Sequence, residues 1–379
     1  MWKTRSLLVL IVLVLSALGL VMLASTSSIQ GATQYHDAYY FVKRQALGLA
    51  VAVVAGFLSS WIPYKHWRTL AVPLSVITVL LLLLVLIPKI GLTVKGSSRW
   101  LKVGPVNFQP SELAKLSVIV LMASWMAGRQ RHAKNILFGL ILPGGALAVF
   151  LGLIFEEPDF GTTVLLALVG GIMLFLGGSR VLHLLLTGGA GFVLFCLAVL
   201  HDPVRWKRIV SFLHPELYSQ NESFQLTHAL YAFVVGGGSG VGLGQGLQKH
   251  FYLPEAHTDF LFAIIGEELG LGATLGIVLL FLALFVCGVR ISLRAPDQFG
   301  QLLGLGITMM LTLQAAINIA VVTGSMPTKG LPLPFMSFGS SSLLISMTMI
   351  GILANLAKYA LPRRTDRDTR CIRDAAQRL

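Results

Sequence analysis

The chain has 379 residues, of which 55% are hydrophobic and only 12% charged, with a formal net charge of +13. Soluble domains carry about 25% charged residues, so this composition, with its mean hydropathy of +0.79, excludes an ordinary soluble globule and points to a polytopic helical membrane protein. Nor does the positive charge signal nucleic-acid binding. Many basic residues sit in short loops between apolar spans, and seven lie between Lys358 and Arg378, the distribution that membrane orientation demands.

A transmembrane helix needs about 20 apolar residues. Ten stretches qualify, near 6–26, 44–62, 70–88, 110–127, 136–154, 160–178, 181–200, 259–289, 299–323 and 339–360. The eighth is long enough to be tilted or to begin outside the hydrocarbon. Lys3 and Arg5 precede the first run, which extends from Leu7 to about Ala24. That run exceeds the roughly 7–15 residues of a signal-peptide core, so an uncleaved helix with a cytoplasmic N-terminus is expected. Alternation then puts Lys65, Arg68, Arg129, Arg131, Lys134, Arg180, Arg290 and Arg294 on the inner side with the tail, in agreement with the positive-inside rule.

The predicted fold is therefore an all-α membrane bundle of about ten helices. It forms one domain over 1–362, with a large extracytoplasmic loop, 201–258, between helices 7 and 8. A basic cytoplasmic tail, 363–379, suits anionic lipid headgroups. Cys196, Cys287 and Cys371 have no spacing that suggests a metal site or a disulfide.

Two outer loops stand out. The 88–109 loop carries Lys89, Lys95, Arg99 and Lys102 on the side where cations are not expected, so anion binding is its expected purpose. The 201–258 loop holds "DPVRWKRIVSFLHPELYS", an amphipathic stretch around Trp206 suited to the membrane interface. It also holds "GGGSGVGLGQG" at 236–246. A flexible hinge and a backbone approach to a ligand are both open there. A P-loop is not, because no Gly-Lys-Ser/Thr follows.

Nearly all unusual polar residues fall in five outward-facing segments. In "PSELAKL", Pro110 suits a first helical turn, and Glu112 and Lys115 share a helix face. They form either a structural ion pair or a charged cavity wall whose lysine contacts phosphate. Asp159, in "EPDFGTT", reads first as the cap of the sixth span. Asp259 stands at the start of the eighth, with Glu255 and His257 just before it. It is either a cap or a general base whose pKa is raised by partial burial. For Glu267 and Glu268, further along, structural pairing is expected. In the last loop, Lys329 is expected to meet an anion. Ser340, Ser341 and Ser342 either hydrogen-bond substrate or let the tenth span pack closely.

The ordered blocks "GSSRWLKVGPVNFQPSELAKL", "EPDFGTTVLL", "LPEAHTDFLFAIIGEELG" and "PTKGLPLPFMSFGSSSL" together resemble the SEDS family of shape, elongation, division and sporulation proteins. The likeness runs from the first span to the tenth. "AHTDFLFAIIGEELG" and "PTKGLPLP" look closest to its division branch; sporulation members share the second form. "SFGSSS" departs from the commoner "SYGGSS" at Phe338 and Ser340. The resemblance implies a ten-helix glycosyltransferase that polymerises lipid II into peptidoglycan outside the bacterial cytoplasmic membrane, at the division septum. Its substrates would be lipid II and an undecaprenyl diphosphate-linked glycan. Its partners would be a class B penicillin-binding protein and other membrane proteins of the division or elongation machinery.

The same resemblance makes Asp259 the catalytic residue. Arg99, Lys115 and Lys329 become candidates for stabilising diphosphate, with Glu112, Asp159, His257, Ser341 and Ser342 as further substrate contacts. No cofactor is implied with certainty; a divalent cation, Mg or Mn, is the one candidate, and no closed metal site is expected. The rival readings are a lipid II flippase and a non-catalytic scaffold. A flippase needs polar groups along its whole path, whereas the inner half of most spans here is apolar.

Overall fold

The computed structural model of the chain describes residues 2–88, 90–94, 97–103, 106–201, 206, 210–212, 224–250, 253, 256–327 and 330–360. Lys89, Lys95, Glu255, Lys329, most of the stretch around Trp206 and the 363–379 tail lie outside the described residues.

All ten predicted spans form. They are α1 (Trp2–Tyr35), α2 (Tyr40–Trp61), α3 (Tyr64–Leu86), α4 (Pro110–Gly128), α5 (Leu142–Glu156), α6 (Phe160–Leu176), α7 (Val181–His201), α9 (Leu261–Ser292), α10 (Gln298–Val322) and α11 (Ser340–Tyr359). A wide π turn, Leu137–Ile141, leads into α5, and Pro143, without an N–H, sits in that helix's first turn. Nine described helices, this turn counted with α5, are long and apolar enough to cross a membrane. The tenth, α6, has 17 residues. At 1.5 Å per residue it rises about 26 Å, close to the roughly 30 Å hydrocarbon core.

Two elements are additions to the sequence reading. The 88–109 loop is a small antiparallel sheet in the order β1-β2-β3: β1 (Gly91–Val94), β2 (Ser97–Val103) and β3 (Val106–Phe108). Leu101 pairs with Gly91 on one side and Phe108 on the other. Within the 201–258 loop, Phe224–Gly236 forms a further helix, α8, which packs on α9.

The helices are apolar all round, as lipid-facing and core-facing surfaces both require. Among the described residues the core is a single cluster centred on α4, α6, α9, α10 and α11. Helix α7 is peripheral: it buries Val199 alone and exposes Leu182, Leu185 and Phe192. Close helix approach depends on glycine. A Cβ on Gly351 of α11 would meet the Gly56 carbonyl oxygen of α2 at 2.1 Å, so only a small residue lets these two helices touch.

Helix α9 is not continuous. Gly270 has φ 73° and ψ −171°, a conformation that favours glycine. The break frees the carbonyls of Glu267 and Glu268, which accept from Val241 N–H (3.0 Å) and Gly242 N–H (2.9 Å). The glycine-rich 236–246 stretch therefore docks its backbone on the broken helix. This docking is a role that the sequence, which left a hinge and a ligand approach open, did not show. Its glycines are needed because a Cβ on Gly240 would lie 2.3 Å from the Glu268 carbonyl oxygen.

Candidate active site

The unusual polar residues gather at one end of the bundle, where α4, α6, α9 and α11 begin and α10 ends. Glu112 and Lys115 lie in the first turns of α4, both buried. Lys115 Nζ donates to Glu112 Oε1 at 2.7 Å and to Gln314 Oε1 at 2.9 Å. Burying two charges without partners would be costly, and here each has one. Gln314, on α10, passes the connection on: its Nε2 donates to the Pro332 carbonyl at 2.8 Å.

One turn further along α10, Asn318 makes the matching contact. Its Nδ2 donates to the Leu331 carbonyl at 2.7 Å and to the Asp259 carbonyl at 2.8 Å. Two amides at i and i+4 thus hold two successive carbonyls of the last loop, and one of them also holds the backbone of Asp259. Both acceptors are carbonyls, which fixes the amide orientation. Asn318 Oδ1 is left buried without a partner.

The carboxyl of Asp259 faces this loop. A Cβ on Gly330 would lie 3.1 Å from Asp259 Oδ2, so glycine leaves open the space beside the acid. Asp259 itself is half-buried. It is not at the N-cap position: α9 begins at Leu261 and its N-cap is Phe260.

His257 is buried in an aromatic nest, with ring centroids 4.9 Å from Phe41 and 5.9 Å from Phe338. Its carbonyl accepts from Phe338 N–H at 3.1 Å. The 330–339 segment enters the bundle and buries Leu331, Leu333, Phe335 and Met336. Gln45 of α2 fastens its far end, donating to the Ser337 carbonyl and accepting from Gly339 N–H, each at 3.2 Å.

Other predicted contacts are committed to the scaffold. Asp159 caps α6 as expected, accepting from Thr162 N–H at 3.1 Å and Thr162 Oγ1 at 3.0 Å. Arg99 donates through Nε to the Glu157 carbonyl at 3.0 Å and through its terminal nitrogen to the Pro158 carbonyl. Ser341 Oγ bridges β3 and α4, accepting from Gln109 N–H and donating to the Asn107 carbonyl, both at 3.2 Å. That geometry favours the packing role for Ser341. Ser342 is buried in the first turn of α11. Beside Asp159, both carboxylate oxygens of Glu157 are buried without a hydrogen-bond partner.

Glu267 and Glu268 pair structurally, as expected. Glu267 Oε1 accepts from the N–H groups of Leu247 (2.7 Å) and Gln248 (3.2 Å). Glu268 accepts from Ser25 Oγ of α1 at 2.7 Å, Lys249 Nζ at 2.8 Å and Gly244 N–H at 3.0 Å. This buried clasp ties α1, the glycine segment and α9 together, with Lys249 on the chain leading to Asp259 and Glu268 on the helix that follows it.

Sequence reasoning passed over Gln314, Asn318, Gln45 and Lys249. For the first two a signal existed: amides at i and i+4 in an apolar span share one face and seek polar partners there. Among the described residues, no three His, Cys, Asp or Glu side chains converge as a metal site would require.

The family model described as "Cell cycle protein", covering FtsW, RodA and SpoVE, matches residues 5–361. A probable peptidoglycan glycosyltransferase FtsW of Trichlorobacter lovleyi is 43% identical over 350 residues, 92% of each chain. The stage V sporulation protein E of Bacillus subtilis is 41% identical over 355 residues, 93% of this chain and 97% of that one. Among solved structures, a chain of a peptidoglycan synthase complex, described as coordinating polymerization and crosslinking, superposes with a TM-score of 0.78. It is 27% identical, and the match covers 93% of this chain and 96% of that chain.

Proposed function

We propose that this chain, which belongs to the FtsW/RodA/SpoVE family of cell cycle proteins, is a peptidoglycan glycosyltransferase that polymerises lipid II for septal wall synthesis. The observation that carries the reading is the meeting of Asp259 with the 330–339 segment. It occurs above the Glu112–Lys115–Gln314 network, at the end of the bundle that gathers nearly all described acids. A lipid-linked substrate keeps its tail in the bilayer and its diphosphate at the interface. A carboxylate at the mouth of the helices is therefore where a sugar hydroxyl arrives.

In the proposed step, Asp259 takes the proton of the C4 hydroxyl on the N-acetylglucosamine of lipid II. The oxygen bonds to C1 of the N-acetylmuramic acid at the strand's reducing end. The C1–oxygen bond to diphosphate breaks, and undecaprenyl diphosphate leaves with the electron pair. Backbone fixation by Asn318 supplies the preorganisation that general-base catalysis needs. Among the three candidate cations, Arg99 and Lys115 already hold scaffold acceptors. Lys329 directly precedes Gly330, whose Cα faces the Asp259 carboxyl, so we give Lys329 the direct diphosphate contact. A divalent cation enters only as a counterion carried by the diphosphate.

We place Asp259 on the outer side and both termini in the cytoplasm, because the opposite end of the bundle carries Lys65, Arg68, Arg129, Arg131, Arg180 and Arg290. A class B penicillin-binding protein is the proposed partner. The synthase complex among the structural neighbours and the relatives' names support that pairing. Division is preferred to sporulation because most of the highest-scoring curated relatives carry the FtsW name.

Purified protein, alone and with its cognate transpeptidase, should convert labelled lipid II into a ladder of glycan products on a gel. A complete lack of polymer in both conditions, with a positive-control polymerase active in the same lipid, would contradict the assignment.

A further inference from the structure

The corner between α1 and α2 lies at the Asp259 end of the bundle and has no part in the reaction derived above. It holds Tyr35, Tyr39 and Tyr40. The rings of Tyr35 and Tyr40 stack face to face, with centroids 3.8 Å apart and planes 5° from parallel. Phe41 meets both edge-on, at 5.6 and 5.4 Å. Phe41 is itself buried, against His257 at 4.9 Å and Phe338 at 5.3 Å. The aromatic run therefore leads inward, from the corner to a residue that stands just before Asp259.

The corner is held by its own hydrogen bonds. Tyr40 N–H donates to the Asp37 carbonyl at 3.0 Å. The Asp37 carboxylate accepts from Tyr39 N–H at 3.0 Å and Lys43 Nζ at 2.8 Å. Yet Tyr35 is 47% exposed and Tyr39 61%. Tyrosines at a membrane interface commonly anchor helices in the lipid. An anchoring belt runs round the rim of a bundle, whereas this cluster runs from the surface towards the candidate active site. Its surroundings are also polar: Gln34, His36 and Lys43 are all exposed.

We propose, resting on the glycosyltransferase reading, that Tyr35 and Tyr39, with the Asp37–Lys43 pair, form a saccharide subsite that holds the growing glycan next to the Asp259 site. One side of a pyranose ring is lined by C–H groups, which pack on the negative face of an aromatic ring. Its hydroxyls point outward from the ring edge, where a carboxylate can accept and an ammonium can donate. A tyrosine ring already fixed by a stack offers this contact at little cost in conformational freedom. Face-on stacking also fixes no register, so a repeating strand can advance after each bond is made.

Fluorescence polarisation of the purified full chain tests this. The probe is a labelled tetrasaccharide of alternating N-acetylglucosamine and N-acetylmuramic acid, without lipid or diphosphate. The wild type should bind it, and Tyr35→Phe, which keeps the ring, should bind it equally. Tyr35→Leu should weaken binding about 3- to 10-fold, the worth of one aromatic contact, and Tyr39→Leu should weaken it in the same direction without touching the stack. Asp259→Asn should bind like the wild type, so binding is read apart from chemistry. Binding that needs Tyr35 in a protein that makes no polymer would keep the subsite and remove the glycosyltransferase reading. Polymer formation by a wild type that does not bind the probe, or equal affinity in the wild type and both leucine variants, would overturn the subsite and return the tyrosines to the lipid interface.

Discussion

The side-chain amide of Asn318 donates to the backbone carbonyl of Asp259 at 2.8 Å, and with its second N–H to Leu331 at 2.7 Å. One residue on α10 therefore fixes the acid and the loop that faces it. Asn318→Leu removes both bonds and leaves two carbonyls short of a donor, at about 1–3 kcal/mol for each one that stays buried. Thermal melting should fall, and lipid II polymerisation should fall further than stability alone explains, because the acid loses its anchor. Unchanged polymerisation in a folded Asn318→Leu protein would show that Asp259 is positioned by other means.

The Glu112–Lys115 pair separates structure from chemistry. Lys115→Met strands Glu112 in a buried site, at about 3–5 kcal/mol. Adding Glu112→Gln removes the stranded charge and should restore the melting temperature. If Lys115 also contributes to diphosphate binding, activity should stay low in the double variant. Full activity there would reduce the pair to a structural role.

Lys249, Ser25 and Glu268 form the clasp that anchors the loop leading to Asp259. Glu268→Gln should destabilise the protein and raise amide exchange at Gly244, whose N–H bonds to this carboxylate at 3.0 Å. The loss of polymerisation should be smaller than for any change at Asp259. Exchange at Gly244 identical to wild type would show that the glycine segment is held by its backbone contacts alone.

Glu157 gives a pH dependence. Burial first, then the Asp159 carboxylate, push its carboxyl from an ordinary 4.5 up to about 8, against the opposing pull of Arg99. Between these two values the folded chain holds a proton that the unfolded chain releases. Its contribution is thus fully present below about 4.5 and is lost as pH rises towards 8. The melting temperature should fall from pH 5 to pH 8 in the wild type and fall less steeply in Glu157→Gln. Parallel slopes would mean that Glu157 is ionised throughout.

The ten spans were legible because a helix in lipid must be apolar over its whole length, and that leaves a plain trace in sequence. The outer-end clusters were legible because charge near hydrocarbon is costly and needs a reason. The break at Gly270 was not. A glycine in an apolar helix reads equally well as a packing site, and only the docked backbone of Val241 and Gly242 gives it a purpose. The small sheet was hidden because its strands are short. Lys249 was hidden because its partner Glu268 lies across a long loop, and pairings over such distances leave no spacing to read. Ser341 and Arg99 show the opposite limit: both belong to recognisable blocks, yet their polar atoms serve backbone groups nearby.

The central claim is that Asp259 is the general base, and Asp259→Asn tests it most directly. Asparagine keeps the size, and the backbone bond to Asn318 does not depend on the carboxylate. The variant should therefore fold, insert and melt like the wild type. General-base catalysis contributes typically about 10²–10⁴-fold, so the initial rate of lipid II polymerisation by purified Asp259→Asn should drop by at least about 10²-fold. A wild-type rate from the folded variant would contradict the account.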